Sequence, residues 1–169
     1  MTDTAPVNGA TKPAFVPSHS DADLADQPIG YWSSAAGQIV VHHIRTTLAE
    51  YGLTQPQWWI LNQVPGDGSA RGRADVVGVL RGYLEFGDQD IEHDIDALLR
   101  RELLTQETSD GGRVLRRTAA GDDLHRRAAA RQQQTRAEIH EGIDDADYVL
   151  ALKVLQRMIH NVGGAARHH

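Results

Sequence analysis

Apolar positions along this chain recur mostly in helical steps, broken once by a short alternating stretch. Trp32, Ala36, Ile39, Val40, His43, Ile44 and Leu48 fall three or four residues apart and predict a helix from Ile29 to about Tyr51, stopped by Gly52. Thr54 is placed to cap a second helix. Pro56 and Gln57 sit in its first turn, Trp58, Trp59, Leu61 and Val64 follow, and Pro65-Gly66-Asp67-Gly68 ends it. Val76, Val77, Val79 and Leu80 predict a third, short helix over roughly Arg73 to Leu84. After a turn at Phe86-Gly87-Asp88, Asp88 caps a fourth helix, Gln89–Glu102, with Ile91, Ile95, Leu98 and Leu99 as its buried stripe.

The pattern then changes. Leu104–Glu107 and Arg113–Thr118 read as two short strands reversed by Ser109-Asp110-Gly111-Gly112, and a new helix opens at Thr118-Ala119-Ala120-Gly121. That helix is polar and runs to about Gly142. Asp144 or Asp145 caps a last one, in which Tyr148, Leu152, Leu155, Ile159 and Val162 step by four and three, a narrow seam suited to helix pairing. A helix, a tight hairpin and another helix make the signature of a winged helix. Residues 1–27 mix Pro6, Pro13 and Pro17 with Thr, Ser, Asp and Ala without any period, so they read as a disordered leader, with order beginning near Ile29. Residues 28–163 read as one domain, and 164–169 as a frayed tail.

Composition narrows the classes. At 169 residues and 40% apolar, with mean hydropathy of −0.44, the chain suits one globular domain with a real core. It holds no apolar run long enough for a membrane span and no basic-then-apolar N-terminal pattern of a signal peptide. Cysteine is absent, which excludes disulfides, thiolate metal sites and cysteine nucleophiles and fits a cytoplasmic protein. The net charge of −6 opposes phosphate binding, yet its distribution is uneven. Asp3, Asp21, Asp23 and Asp26 lie in the leader, whereas Arg100, Arg101, Arg113, Arg116, Arg117, Arg126, Arg127, Arg131 and Arg136 gather around the hairpin and the helix after it. A hairpin that carries arginines points to DNA rather than to a small-molecule reaction.

The order of elements, and the residues within them, resemble the MarR family of bacterial transcription regulators. Leu53, Thr54, Gln57, Trp58, Ile60 and Leu61 carry the resemblance at the second helix, and Ile95, Leu98, Leu104, Asp110, Arg113, Leu115, Thr118 and Gly121 extend it. It covers about Ile29–Val162. It implies a mainly α fold with a small β-wing: a winged helix-turn-helix flanked by N- and C-terminal dimerisation helices, here about 29–51 and 119–162, around a DNA-binding lobe of about 53–118. The function implied is that of a cytoplasmic homodimeric repressor that binds a double-stranded operator and is released by a small aromatic ligand. The chain departs from the family on the fourth helix, the one that would enter the major groove. Family members usually offer Ser, Thr, Arg or Lys there, whereas Glu85, Asp88, Asp90, Glu92, Asp94 and Asp96 stand here without a Lys or Arg among them.

Under this resemblance Gln89 and His93 are candidates for base edges, Arg100 for a phosphate, and Arg113 and Arg116 for contact by the wing. Arg116 and Arg117 cannot both face outwards, because strand side chains alternate. His42, His43, Trp58 and Trp59 are candidates for lining a ligand cleft between the first two helices, with plain core packing as the other reading. The nine histidines show no metal-binding spacing, no catalytic motif is present, and neither a metal nor a cofactor is expected. Two further readings stay open: a MarR-like dimer that has lost DNA binding and serves as a ligand-binding or protein-interaction module, and an enzyme built in the inter-helix cleft.

Overall fold

The computed structural model describes residues 14–81 and 88–165, the side chains of residues 88 and 89 excepted. The chain divides into two compact units between Ala36 and Gly37. In the first, α1 (Asp21–Ala25) is a single helical turn capped by Ser20, whose hydroxyl accepts from the Asp23 amide at 3.2 Å. This turn falls within residues 1–27, where the sequence pattern predicts no helix. Ser20 followed by Asp21 and Asp23 is a capping signal in its own right, hidden by the proline-rich composition around it. Helix α2 (Ile29–Ala49) begins in this unit and continues into the second.

In the second unit α2 closes at Gly52, which takes a left-handed φ of 62° while the Leu53 amide reaches back to Leu48 O at 3.2 Å. Helix α3 (Gln55–Gln63) opens with a reciprocal capping box: Gln57 N donates to Thr54 Oγ1 at 3.2 Å, and Thr54 N to Gln57 Oε1 at 3.4 Å. Strand β1 (Arg71–Gly72) and helices α4 (Arg73–Leu80) and α5 (Asp88–Arg100) follow. Asp88 is the first residue of α5 rather than its cap. The expected continuation of α4 to Leu84, and the turn at Phe86-Gly87, lie outside the described residues. Strands β2 (Leu104–Ser109) and β3 (Gly112–Arg117) form the hairpin, and helices α6 (Ala119–Ile139) and α7 (Asp145–Asn161) complete the chain.

The sheet is antiparallel with order β1-β3-β2; Leu104 faces Arg117, Ser109 faces Gly112, and Arg71 faces Leu115. Strand β1 is the element that hydrophobic patterning missed, since two residues cannot display an alternation. Leu48, Ile60, Leu61, Val64, Val76, Ile95, Leu98, Leu104 and Leu115 are almost wholly buried and place the core among α3, α4, α5 and the base of the hairpin. Each such side chain contributes on the order of 1.5–3 kcal/mol by leaving water. A buried polar seam joins α2 to α6, where Thr135 Oγ1 lies 3.2 Å from Thr47 Oγ1 and Gln132 donates to the same Thr47 oxygen at 3.0 Å.

Two backbone devices set where the hairpin stands. Helix α5 ends with Glu102 at a left-handed φ of 57°, with Leu103 N on Leu98 O and Glu102 N on Leu99 O. Glycine usually fills that position. The chain then meets the start of α6, where Thr118 Oγ1 donates to Glu102 O at 2.7 Å and Gly121 lies against the Leu103 carbonyl. A Cβ at Gly121 would sit 2.0 Å from Leu103 O, a backbone atom that cannot step aside. Gly121→Ala is therefore expected to cost about 3 kcal/mol or more by overpacking, read as a lowered urea midpoint.

Candidate nucleic-acid interface

Helix α5 turns Ile91, Ile95 and Leu98 into the core and leaves His93, Asp96 and Arg100 exposed on its outer side. Its acidic residues are not a bare anionic face. Arg73, at the start of α4, is 5% exposed and lies beneath them. Its Nε donates to Glu92 Oε2, its Nη2 to Asp96 Oδ1 at 2.7 Å and to Glu92 O at 3.3 Å, and its Nη1 to Gln106 Oε1 on β2 at 2.8 Å. Asp94 faces the other way, accepting from Gln57 Nε2 at 3.0 Å and Thr54 Oγ1 at 3.4 Å, so the α3 capping box is also the anchor of α5. The hydrogen bond from Arg73 is the chief cause that holds the Asp96 carboxyl below the usual carboxylate range. Partial burial opposes it, and the charges of Arg73, Arg100 and Arg113 assist. Sequence reading missed Arg73 altogether, because nothing local marks a guanidinium whose partners lie 19, 23 and 33 residues further on.

The arginines divide in the same way. Arg116 is half-buried: its Nη1 donates to Gly68 O and its Nε lies 3.6 Å from Glu107 Oε2, so it is engaged within the protein. Arg117 turns inwards, 9% exposed, with Nε 2.9 Å from Asp122 Oδ1, although that contact is too far off the N–H direction to count as a hydrogen bond. Arg71 caps the Gln63 carbonyl at 3.1 Å, and Arg101 bonds Gly52 O at 2.8 Å. Arg100 and Arg113 are exposed, and neither makes a hydrogen bond or ion pair among the described residues. Both are close enough to Asp96 to lower its pKa. Structure thus gathers His93, Asp96, Arg100 and Arg113 on the outer side of the helix and wing and takes Arg116 out of that group. Gln89 belongs to α5, but its side chain lies outside the described residues.

No family model and no curated protein matches the sequence. Solved structures do match the fold. A MarR-family transcriptional regulator from Rhodococcus sp. RHA1 superposes with a TM-score of 0.63 at 20% identity, over 83% of this chain and 96% of that one. CouR from Rhodococcus jostii RHA1, bound to p-coumaroyl-CoA, gives 0.62 at 21% identity over 80% and 93%. A mutant MarR from E. coli complexed with operator DNA gives 0.64 at 13% identity over 83% and 99%. This chain has the MarR-type winged-helix fold. Within the MarR fold, α4 and α5 are the helix-turn-helix and β2–β3 the wing.

The four ligand candidates do not converge in this MarR-type frame. His42 is exposed, while His43 Nε2 lies 2.9 Å from Glu138 Oε2 on α6. Trp58 stacks on His125 at 5.0 Å between centroids and 18° between planes, and packs against the core. Trp59 looks the other way, into a cleft of about 320 Å³ shared with Pro56, Leu80, Ile91 and His93. A second cleft, of about 330 Å³, lies among α2, α6 and α7 and contains none of the four. Its lining includes Val40, Ile44, Arg136, His140 and Tyr148, with the Arg136 guanidinium 5.6 Å from the centre of the Tyr148 ring. Among the described residues no group of three or more His, Asp or Glu is placed to hold a metal ion, and no helix is long and apolar enough to cross a membrane.

His125 gives the packing of α3 on α6 a measurable pH signature. Burial, helped by the charge of Arg117 and opposed by Asp122, lowers its pKa from the ordinary 6.5, while Nε2 donates to Asn62 Oδ1 at 2.8 Å. The unfolded chain therefore takes up this proton first. Stability from His125 is whole above about pH 6.5 and drains away as pH falls through the lower folded value. Urea midpoints measured at about pH 7.5 and about pH 5.5 should differ in the natural protein, and by less in His125→Phe, which keeps the ring stack without the titration.

Proposed function

We propose that this protein is a homodimeric DNA-binding transcriptional regulator, acting as a repressor, whose helix α5 reads the major groove while the wing holds the backbone. The observation that carries this reading is the sorting of charge on the winged helix. Glu92 and Asp94 are hydrogen-bonded within the protein and Asp96 has one oxygen bonded to Arg73, while Arg100 and Arg113 stand exposed and uncommitted beside them. A locally basic rim on a chain of net charge −6 suffices when the carboxylates behind it are compensated. The fold shared with a MarR protein complexed with operator DNA supports the same reading.

Dimerisation accounts for what α2 and α7 leave uncovered. Ile39 is 71% exposed, and α7 exposes Val149, Leu150, Leu152, Val154 and Met158, a broader apolar surface than the narrow seam read from the sequence. So much uncovered aliphatic surface on two helices suits a subunit interface. An effector fits the cleft beside Tyr148, where Arg136 and His140 supply cationic and polar groups over an aromatic wall. The similar CouR was solved with p-coumaroyl-CoA, a ligand that joins an aromatic ring to anionic groups.

Fluorescence anisotropy or gel retardation on the DNA upstream of the protein's own gene tests the main reading. Affinity should fall steeply between about 50 and 200 mM salt, and Arg113→Ala should lower the slope of log K against log salt by about one per subunit. No retardation of any duplex at low salt would sink it. For the dimer, Leu152→Glu should convert the species seen by sedimentation from two chains to one, because a carboxylate cannot be buried unpaired in an apolar contact.

A further inference from the structure

A recognition helix that carries carboxylates raises the question of what they are for. Glu92 gives both its carboxylate and its carbonyl to Arg73, and Asp94 turns towards α3. Asp96 is different. One of its oxygens, Oδ1, is fixed by Arg73 at 2.7 Å, Oδ2 makes no hydrogen bond among the described residues, and the side chain remains 51% exposed. It stands on the outer side of α5 one turn after His93 and one turn before Arg100, both exposed.

We propose that Asp96 is a specificity-determining residue that accepts a hydrogen bond from cytosine N4 in the major groove, and that Arg73 is the positioning residue that holds it there. The proposal rests on the DNA-binding reading above and deepens it. An ionised carboxylate only accepts, so it seeks an exocyclic amine. Cytosine presents N4–H₂ with no neighbouring acceptor on that edge, whereas adenine sets its N7 acceptor beside the N6 amine and repels the second oxygen. Two costs normally keep carboxylates out of this place: repulsion by phosphate and the entropy of fixing a free side chain. Arg73 removes much of both, since its buried guanidinium pins one oxygen through Nη2, and Arg100 and Arg113 add positive charge nearby. Arg73 is itself held by Gln106 of β2, so the reader is set relative to the wing as well as to its own helix.

The test is selection of duplexes from a random pool by the full-length protein, followed by sequencing of the bound DNA, with affinities measured on the enriched sequence. In Asp96→Ala one position per half-site should lose its cytosine preference, by roughly fivefold or more, while the other positions keep theirs. Asp96→Asn should shift the same position towards adenine, because an amide both accepts and donates. Arg73→Lys, whose ammonium cannot serve four acceptor groups on three residues, should flatten that same position and leave those read by other residues intact. A motif unchanged in Asp96→Ala, with affinity raised evenly on every sequence, overturns the proposal and makes the carboxylate a mere repellent. A motif unchanged in Arg73→Lys overturns the positioning role. If the natural protein itself enriches no sequence and retards no duplex, the DNA-binding reading falls and this inference with it.

Discussion

A guanidinium taken out of water must find an acceptor for nearly every N–H, or the fold loses several kcal/mol. Arg73 meets that demand with groups from two other elements, Glu92 and Asp96 on α5 and Gln106 on β2. The three pieces that make a winged helix-turn-helix are therefore locked at one buried point. The planar guanidinium thus directs bonds from the start of α4 to α5 and to the wing at once. Hydrophobic packing of Ile91, Ile95 and Leu98 brings the helix to the core, but an apolar stripe tolerates sliding and rotation more readily than a set of directed bonds does.

The same constraint reconciles a net charge of −6 with the proposed approach of this surface to a polyanion. Charge that is paired within the protein projects less field, so what another molecule meets is set by the exposed groups rather than by the total. Arg71, Arg101 and Arg116 satisfy carbonyls at turns and strand ends, and Arg117 lies against the Asp122 carboxylate. Arg100 and Arg113 are left on the outside. Counting arginines near the hairpin overstates the basic surface, just as counting aspartates on α5 overstates the acidic one.

Polar contacts also tie the lobe to the helices around it. Gln57 closes its own capping box and reaches Asp94, and Arg101 bonds both Gly52 O and Gln57 Oε1, so the α2–α3 turn, α3 and the end of α5 share one network. On the other flank Trp58 and His125 stack between α3 and α6. His43 bonds Glu138, and Arg131 pairs with both Glu138 and Glu50, which adds a polar ladder between the α2 end of the chain and α6. These contacts give a change on α6 a direct physical path to the helix that carries the capping box of α3.

Local physics wrote much of this protein openly in its sequence. Helices α2, α3, α5 and α6 were legible because apolar periodicity, a Thr cap and a glycine stop each act within a turn or two of chain, and the hairpin was legible because Ser109-Asp110-Gly111-Gly112 admits little else. What escaped was decided at long range. Strand β1 exists only because β3 lies beside it, and Glu102 takes a glycine's conformation because the hairpin must leave α5 at that angle. The partners of Arg73 were hidden for the same reason. A run of charges reads alike whether its members face solvent or one another, since the choice depends on residues tens of positions apart that only the packed core brings within 3 Å of each other. The sequence by itself determined most of the elements and their order; the tertiary structure decided which charges remain to meet another molecule.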